Sequence, residues 1–101
     1  AIDLVRQSSS YKVEIEVGNH DEAVEALAAG ADIIMLDNMA AGEMKKVVEL
    51  ARGRTVIEAS GGITLDNVRQ VAEAGVDLIS IGAITHSAKA LDLSLELETG
   101  H

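Results

Sequence analysis

Cysteine, proline, phenylalanine and tryptophan are all missing from this 101-residue chain, and Tyr11 is its single aromatic residue. Without cysteine there is no disulfide framework and no thiolate chemistry, and no Cys or His pair is spaced for zinc. With almost no aromatic side chains, a core has to come from Val, Ile, Leu and Ala, residues that suit parallel strands covered by helices. Positive charge is also scarce: 8 Lys and Arg stand against 17 Asp and Glu, a net charge of −9. Nucleic-acid binding requires clustered cations, and here they are scattered along the sequence, with Lys45 and Lys46 as the one adjacent pair. No apolar run reaches the roughly 18 residues that would suggest a membrane span. The expectation is a cytoplasmic protein with neither nucleic acid nor membrane as a partner. The start at "AIDLVRQ" reads as the end of a helix, and with the ending "ETGH" it suggests a truncated or engineered fragment. Residues 1–101 are expected to form one domain.

What is present is a regular alternation. "KVEIEV" (12–17), "DIIML" (32–36), "TVIEA" (55–59) and "DLISI" (77–81) read as strands about twenty residues apart. Between them, Ala23, Val24, Leu27 and Ala28, then Met44, Val47, Val48 and Ala51, then Val68, Val71 and Ala72 recur at helical spacing. Asn19 with Glu22 and Thr64 with Asn67 are placed to cap helix starts, and Gly30, Gly53 and Gly75 to end helices. "AGADII" at 29–34 returns as "AGVDLI" at 74–79, so the repeating unit is a strand plus a helix.

Such units form either a partial (β/α) barrel of four parallel βα units, a TIM-like half-barrel, or a flavodoxin-like open sheet. "KVEIEV" favours the barrel. Alternation sets Val13, Ile15 and Val17 on one face and Glu14 and Glu16 on the other. An open sheet with helices on both faces would bury those glutamates, whereas a barrel lumen accommodates them. A whole barrel takes about 250 residues, so the chain accounts for at most half, and self-association into a homo-oligomer is one way for it to close.

In parallel α/β folds chemistry gathers at the carboxyl ends of the strands. Those ends carry Glu16, then Asp37 with Asn38, then Glu58 with Ser60, Gly61 and Gly62, then Gly82 and Ala83. Glycines let backbone N–H groups approach a phosphate, and Ser60 adds a hydroxyl; the alternative is that they only permit tight turns. Asp37 read blandly caps the next helix. Taken together, three strand-end carboxylates could bind Mg²⁺, hold sugar hydroxyls or stabilise a developing cation. His86 reads as a loop residue, with a catalytic role as the alternative.

"KVEIEV", "GADIIMLDNM", "IEASGGIT" and "GVDLISIGAITHSAKALDLSLEL", in this order and spacing, resemble the quinolinate phosphoribosyltransferases, also called nicotinate-nucleotide pyrophosphorylases. The resemblance implies the C-terminal part of an incomplete barrel from an enzyme of NAD biosynthesis. Such an enzyme joins quinolinate to phosphoribosyl pyrophosphate with Mg²⁺ and yields nicotinate mononucleotide, pyrophosphate and CO₂. It also implies that Glu16 and Asp37 lie by the ribose and the Mg-pyrophosphate, and that Ser60, Gly61, Gly62, Gly82 and Ala83 hold the 5′-phosphate. The family's substrate-gripping cations are absent and no basic residue except Lys89 falls near a predicted strand end, so the isolated chain is expected to be inactive. Two other readings stand beside this one: a phosphate-binding barrel lyase or isomerase, and a non-catalytic engineered half-barrel.

Overall fold

The computed structural model describes residues 12–82, 84–91 and 93. Five strands and three helices follow one another as β1 (Glu14–Val17), α1 (His20–Ala28), β2 (Ile33–Asp37), α2 (Ala41–Ala51), β3 (Val56–Ser60), α3 (Val68–Glu73), β4 (Leu78–Ile81) and β5 (Ile84–Ser87). The sheet order is β1-β2-β3-β4-β5. The first three pairings are parallel and the last is antiparallel. Because the order never reverses, there is no topological switch point, and the open flavodoxin-like alternative is excluded in favour of a partial (β/α) barrel.

One expectation fails. The chain does not go directly from β4 into a helix. It turns at Gly82 and runs back as β5, pairing Ile81 with Ile84 and Leu78 with Ser87, and becomes helical only at residues 88–91. His86 is therefore a strand residue. Gly82 belongs to a hairpin connection, and its φ of 63° is one glycine adopts without penalty; Ala83 lies outside the described residues. The first eleven residues and the "ETGH" ending also lie outside them.

Alternation decides the layering. Ile34, Leu36, Ile57, Ala59 and Ile79 are fully enclosed under the helices, where Met44, Val47, Val68 and Val71 meet them. Each large aliphatic side chain removed from water contributes about 1.5–3 kcal/mol. Among the described residues no helix covers the opposite face. Register places Glu14, Glu16, Ile33, Met35, Asp37, Val56, Glu58, Ser60, Leu78 and Ser80 there, and the glutamates of β1 are exposed as expected.

The helix ends follow the expected chemistry with one shift. Asn19 accepts the Glu22 N–H through Oδ1 at 2.9 Å, and Glu22 Oε1 accepts the Gly18 N–H at 2.7 Å, a reciprocal cap. At α3, Asn67 Oδ1 accepts the Thr64 N–H at 2.9 Å and Thr64 Oγ1 accepts the Asp66 N–H at 3.2 Å. A single turn over 65–67 thus precedes the helix proper. Gly30, Gly53 and Gly75 all adopt positive φ after helices.

Candidate functional site

The carboxyl ends of β2 and β3 are locked to each other. Asp37 pairs with Ser60 in the ladder, and the next amide, Asn38 N–H, donates to the Ser60 carbonyl at 2.8 Å. Asn38 reaches this position with φ of 61°, a left-handed conformation that Asn tolerates better than most residues. Immediately beyond Ser60, Gly61 and Gly62 take φ of 78° and 68°. Both must be glycine on two counts. A Cβ on Gly61 would stand 2.5 Å from Asp37 Oδ1, and one on Gly62 would stand 2.6 Å from Asn38 Oδ1. The N–H groups of Gly61 and Gly62 donate no hydrogen bond to another described residue. A turn of consecutive glycines with outward amides, leading into a helix start, has the backbone chemistry of an anion receptor.

The acids sit on the uncovered face. Glu16, Met35 and Glu58 form one row across three strands, and Asp37 and Ser60 form the row nearer the strand ends. Strand spacing then sets the Cα atoms of Glu16 and Glu58 about 9–10 Å apart, with Asp37 about 8 Å from Glu16. Among the described residues no three acidic or histidine side chains are grouped to hold a metal ion. The expected convergence of three carboxylates is thus looser than a protein-built cage, because each lies on a different strand or row. Asp37 does not cap α2 either: the N-cap is Ala40, with no side-chain hydrogen bond. Glu58 is half-buried between strands, and that burial, followed by the neighbouring Glu14 carboxylate, raises its pKa above the usual glutamate value.

Two residues singled out by the sequence are displaced. His86 pairs with Ile79 and so lies on the helix-covered side, away from Glu16, Asp37 and Ser60. Lys89 is carried by the β5 reversal to the amino end of the sheet, where the adjacent Ala88 N–H donates to the Asp77 carbonyl at 2.9 Å. Lys89 therefore supplies no cation at the carboxyl ends of the strands. Scattered cations also come together more than sequence spacing suggested. His20, Lys46, Arg52 and Arg54, with Glu49 and Leu50, line a groove of about 640 Å³ on the helical side, away from the glycine turn. A smaller cavity of about 340 Å³ opens behind that turn, lined by Asn38, Met44, Gly61, Gly62, Asn67 and Gln70 among others. Sequence reasoning missed the part Asn67 plays here: its Nδ2 donates to the Gly62 carbonyl at 2.9 Å, tying the turn to α3.

Comparison with known proteins matches the family model "Quinolinate phosphoribosyl transferase, C-terminal domain" over residues 1–96. A probable nicotinate-nucleotide pyrophosphorylase (carboxylating) from Methanothermobacter thermautotrophicus is 45% identical over 96% of this chain and 37% of its own length. The human nicotinate-nucleotide pyrophosphorylase (carboxylating) is 41% identical, with 96% of this chain and 34% of that protein covered. Among solved structures, the nicotinate-nucleotide pyrophosphorylase from Francisella tularensis superposes with a TM-score of 0.68 at 46% identity, covering 78% of this chain and 29% of that one. Thiamine phosphate pyrophosphorylase from Pyrococcus furiosus shares the architecture at a TM-score of 0.59 and 30% identity, over 67% of this chain and 37% of that one. The chain thus spans little more than a third of the curated relatives it matches. It belongs to the quinolinate phosphoribosyltransferase family and corresponds to the C-terminal domain of those enzymes.

Proposed function

We propose that this chain supplies the phosphate-receiving and acidic part of a quinolinate phosphoribosyltransferase. The whole enzyme joins quinolinate to phosphoribosyl pyrophosphate and forms nicotinate mononucleotide, pyrophosphate and CO₂. The observation that carries the reading is the Ser60-Gly61-Gly62 turn beside Asp37, whose glycine amides have no acceptor among the described residues. In this reading Ser60, Gly61 and Gly62 receive the 5′-phosphate together with Gly82 at the next strand end, and the family pattern gives the same role to Ala83, which lies outside the described residues. Asp37 and Glu16 face the ribose and the pyrophosphate. As pyrophosphate leaves, positive charge develops at the ribose carbon, and fixed carboxylates stabilise it without acting as nucleophiles.

Glu16 and Asp37 have no hydrogen-bonding or ionic side-chain partner among the described residues. Two such oxygen donors suit a Mg²⁺ that is held mainly by substrate phosphates, and do not suit an ion held by protein alone. When bound, Mg²⁺ would neutralise charge on the leaving pyrophosphate. Both substrates are polyanions, and the face bearing Glu14, Glu16 and Glu58 is acidic, so cations must come from the rest of the enzyme or from another subunit of a homo-oligomer. The isolated chain should therefore form no nicotinate mononucleotide, while keeping weak phosphate binding. Amide NMR titration with inorganic phosphate, with and without Mg²⁺, tests the reading. Shifts at residues 60–62 and 82–83 that strengthen with Mg²⁺ are expected; fixed resonances there while others move would overturn it.

A further inference from the structure

We infer that Asn38 is a positioning residue that holds the Ser60-Gly61-Gly62 turn in its receiving shape; as a statement about phosphate it rests on the function proposed above. Asn38 is hydrogen-bonded to the first residue of the turn and borders the other two. Its N–H donates to the Ser60 carbonyl at 2.8 Å. That same nitrogen would lie 3.1 Å from a Cβ on Gly61, and its Oδ1 2.6 Å from one on Gly62. The left-handed backbone at φ of 61° sets the direction in which the Asn38 side chain leaves the chain once Asp37 has ended the ladder. Asn and Asp accept this conformation, whereas alanine and β-branched residues resist it. From the other side Asn67 Nδ2 holds the Gly62 carbonyl at 2.9 Å. The turn is clamped between two asparagines, one from β2 and one from the start of α3. The Asn38 clamp also fixes Asp37 relative to the turn, so that a carboxylate and an anion receptor form one unit.

The test uses the 101-residue chain and three variants. Asn38→Gly keeps the left-handed backbone and removes the side chain. Asn38→Ala removes the side chain and disfavours the backbone as well. Asn38→Asp keeps both and sets a carboxylate against Gly62. Without phosphate, Asn38→Gly should shift the amides of residues 61–63 and speed hydrogen exchange of the residue-38 amide, which donates to the Ser60 carbonyl, about ten-fold while the fold is retained, and Asn38→Ala should do more. Asn38→Asp should leave exchange near the parent rate. In phosphate titrations, Asn38→Gly should weaken binding about ten-fold, the scale on which misplaced receiving groups act. Unshifted amides at 61–63 and unchanged exchange at residue 38 in both Asn38→Gly and Asn38→Ala would overturn the positioning role, whatever phosphate does. Faster exchange in Asn38→Gly and Asn38→Ala with no phosphate response in the parent chain would instead overturn the phosphate reading and leave the clamp standing.

Discussion

Asp77 holds Ile57 at both ends of its backbone: the Asp77 N–H donates to the Ile57 carbonyl at 2.9 Å, and Asp77 Oδ2 accepts the Ile57 N–H at 2.9 Å. The same reciprocal pair occurs two units earlier in the repeat. There the Asp32 N–H donates to the Val13 carbonyl at 2.8 Å and Asp32 Oδ2 accepts the Val13 N–H at 2.8 Å. The repeated "AG-x-D" thus encodes a strand clasp, in which the glycine ends a helix and the aspartate staples the next strand to its neighbour.

The two clasps should differ in strength. Ile57 is 1% exposed and Val13 is 49% exposed, so water can replace the lost acceptor at Val13 and cannot readily do so at Ile57. Asp77→Ala should therefore cost about 1–3 kcal/mol and Asp32→Ala about 0.5–1 kcal/mol. Urea unfolding of both variants decides this, and equal losses would show that burial does not set the difference.

Much of this was legible in the sequence, and the exceptions have physical causes. Hydrophobic alternation marked β1 to β4 and the outward glutamates, because one face is buried and the other is not. β5 escaped because Ile84-Thr85-His86-Ser87 is short and carries no apolar alternation; the β-branched pair after Gly82 was the only signal. That miss displaced His86 and Lys89 together, since a reversed strand moves everything after it to the other end of the sheet. At the candidate site the glycines could be read, but their cause could not. Gly61 and Gly62 are fixed by Asp37 and Asn38, residues 23 to 24 positions earlier, and only the β2–β3 register brings them into contact.

Glycine substitutions should separate strain from contact. Gly30 has φ of 84° with nothing near an added Cβ, whereas Gly61 has φ of 78° and a carboxylate oxygen 2.5 Å away. Gly30→Ala should cost about 1 kcal/mol through backbone conformation alone. Gly61→Ala should cost about 2–4 kcal/mol, adding a clash that must displace Asp37. Asp37→Gly in the Gly61→Ala background should recover part of that loss. Failure to recover any would mean that the Asp37 contact is not what excludes a side chain.

Glu58 gives stability a defined pH dependence. Its folded-state pKa lies above the unfolded value, because burial and then Glu14 disfavour the carboxylate. Below the ordinary glutamate value, about 4.3, both states are protonated and nothing is lost. As pH rises past it, the unfolded state releases its proton first and the fold loses stability, until the folded pKa is also passed. Glu58→Gln should therefore raise the thermal midpoint at pH 7, with the gain vanishing near pH 4. Glu14→Gln should give a smaller gain in the same direction, since it removes only the second cause. An equal gain from Glu58→Gln at both pH values would assign the effect to strand propensity and not to charge.

Self-association through the uncovered face, where it occurs, should depend on salt. Ile33, Met35 and Leu78 are only half-buried there and Val56 is 39% exposed. β1 is an edge of the sheet, so apolar surface and unpaired backbone groups both favour pairing with a second copy. Glu14, Glu16 and Glu58 on the same face oppose it, because an isologous contact sets each acid near its counterparts. The Debye length falls from about 30 Å at 0.01 M salt to about 3 Å at 1 M, so the opposing term weakens with salt while the apolar one persists. Light scattering over a concentration series should give a larger mean mass at 0.5 M NaCl than at 0.02 M. Glu14→Gln/Glu16→Gln should associate at low salt to the extent that the parent does at high salt. A mass that stays monomeric at every salt and concentration would show that this face does not pair with itself, and a mass that falls with salt would mean that attraction between opposite charges holds the copies together.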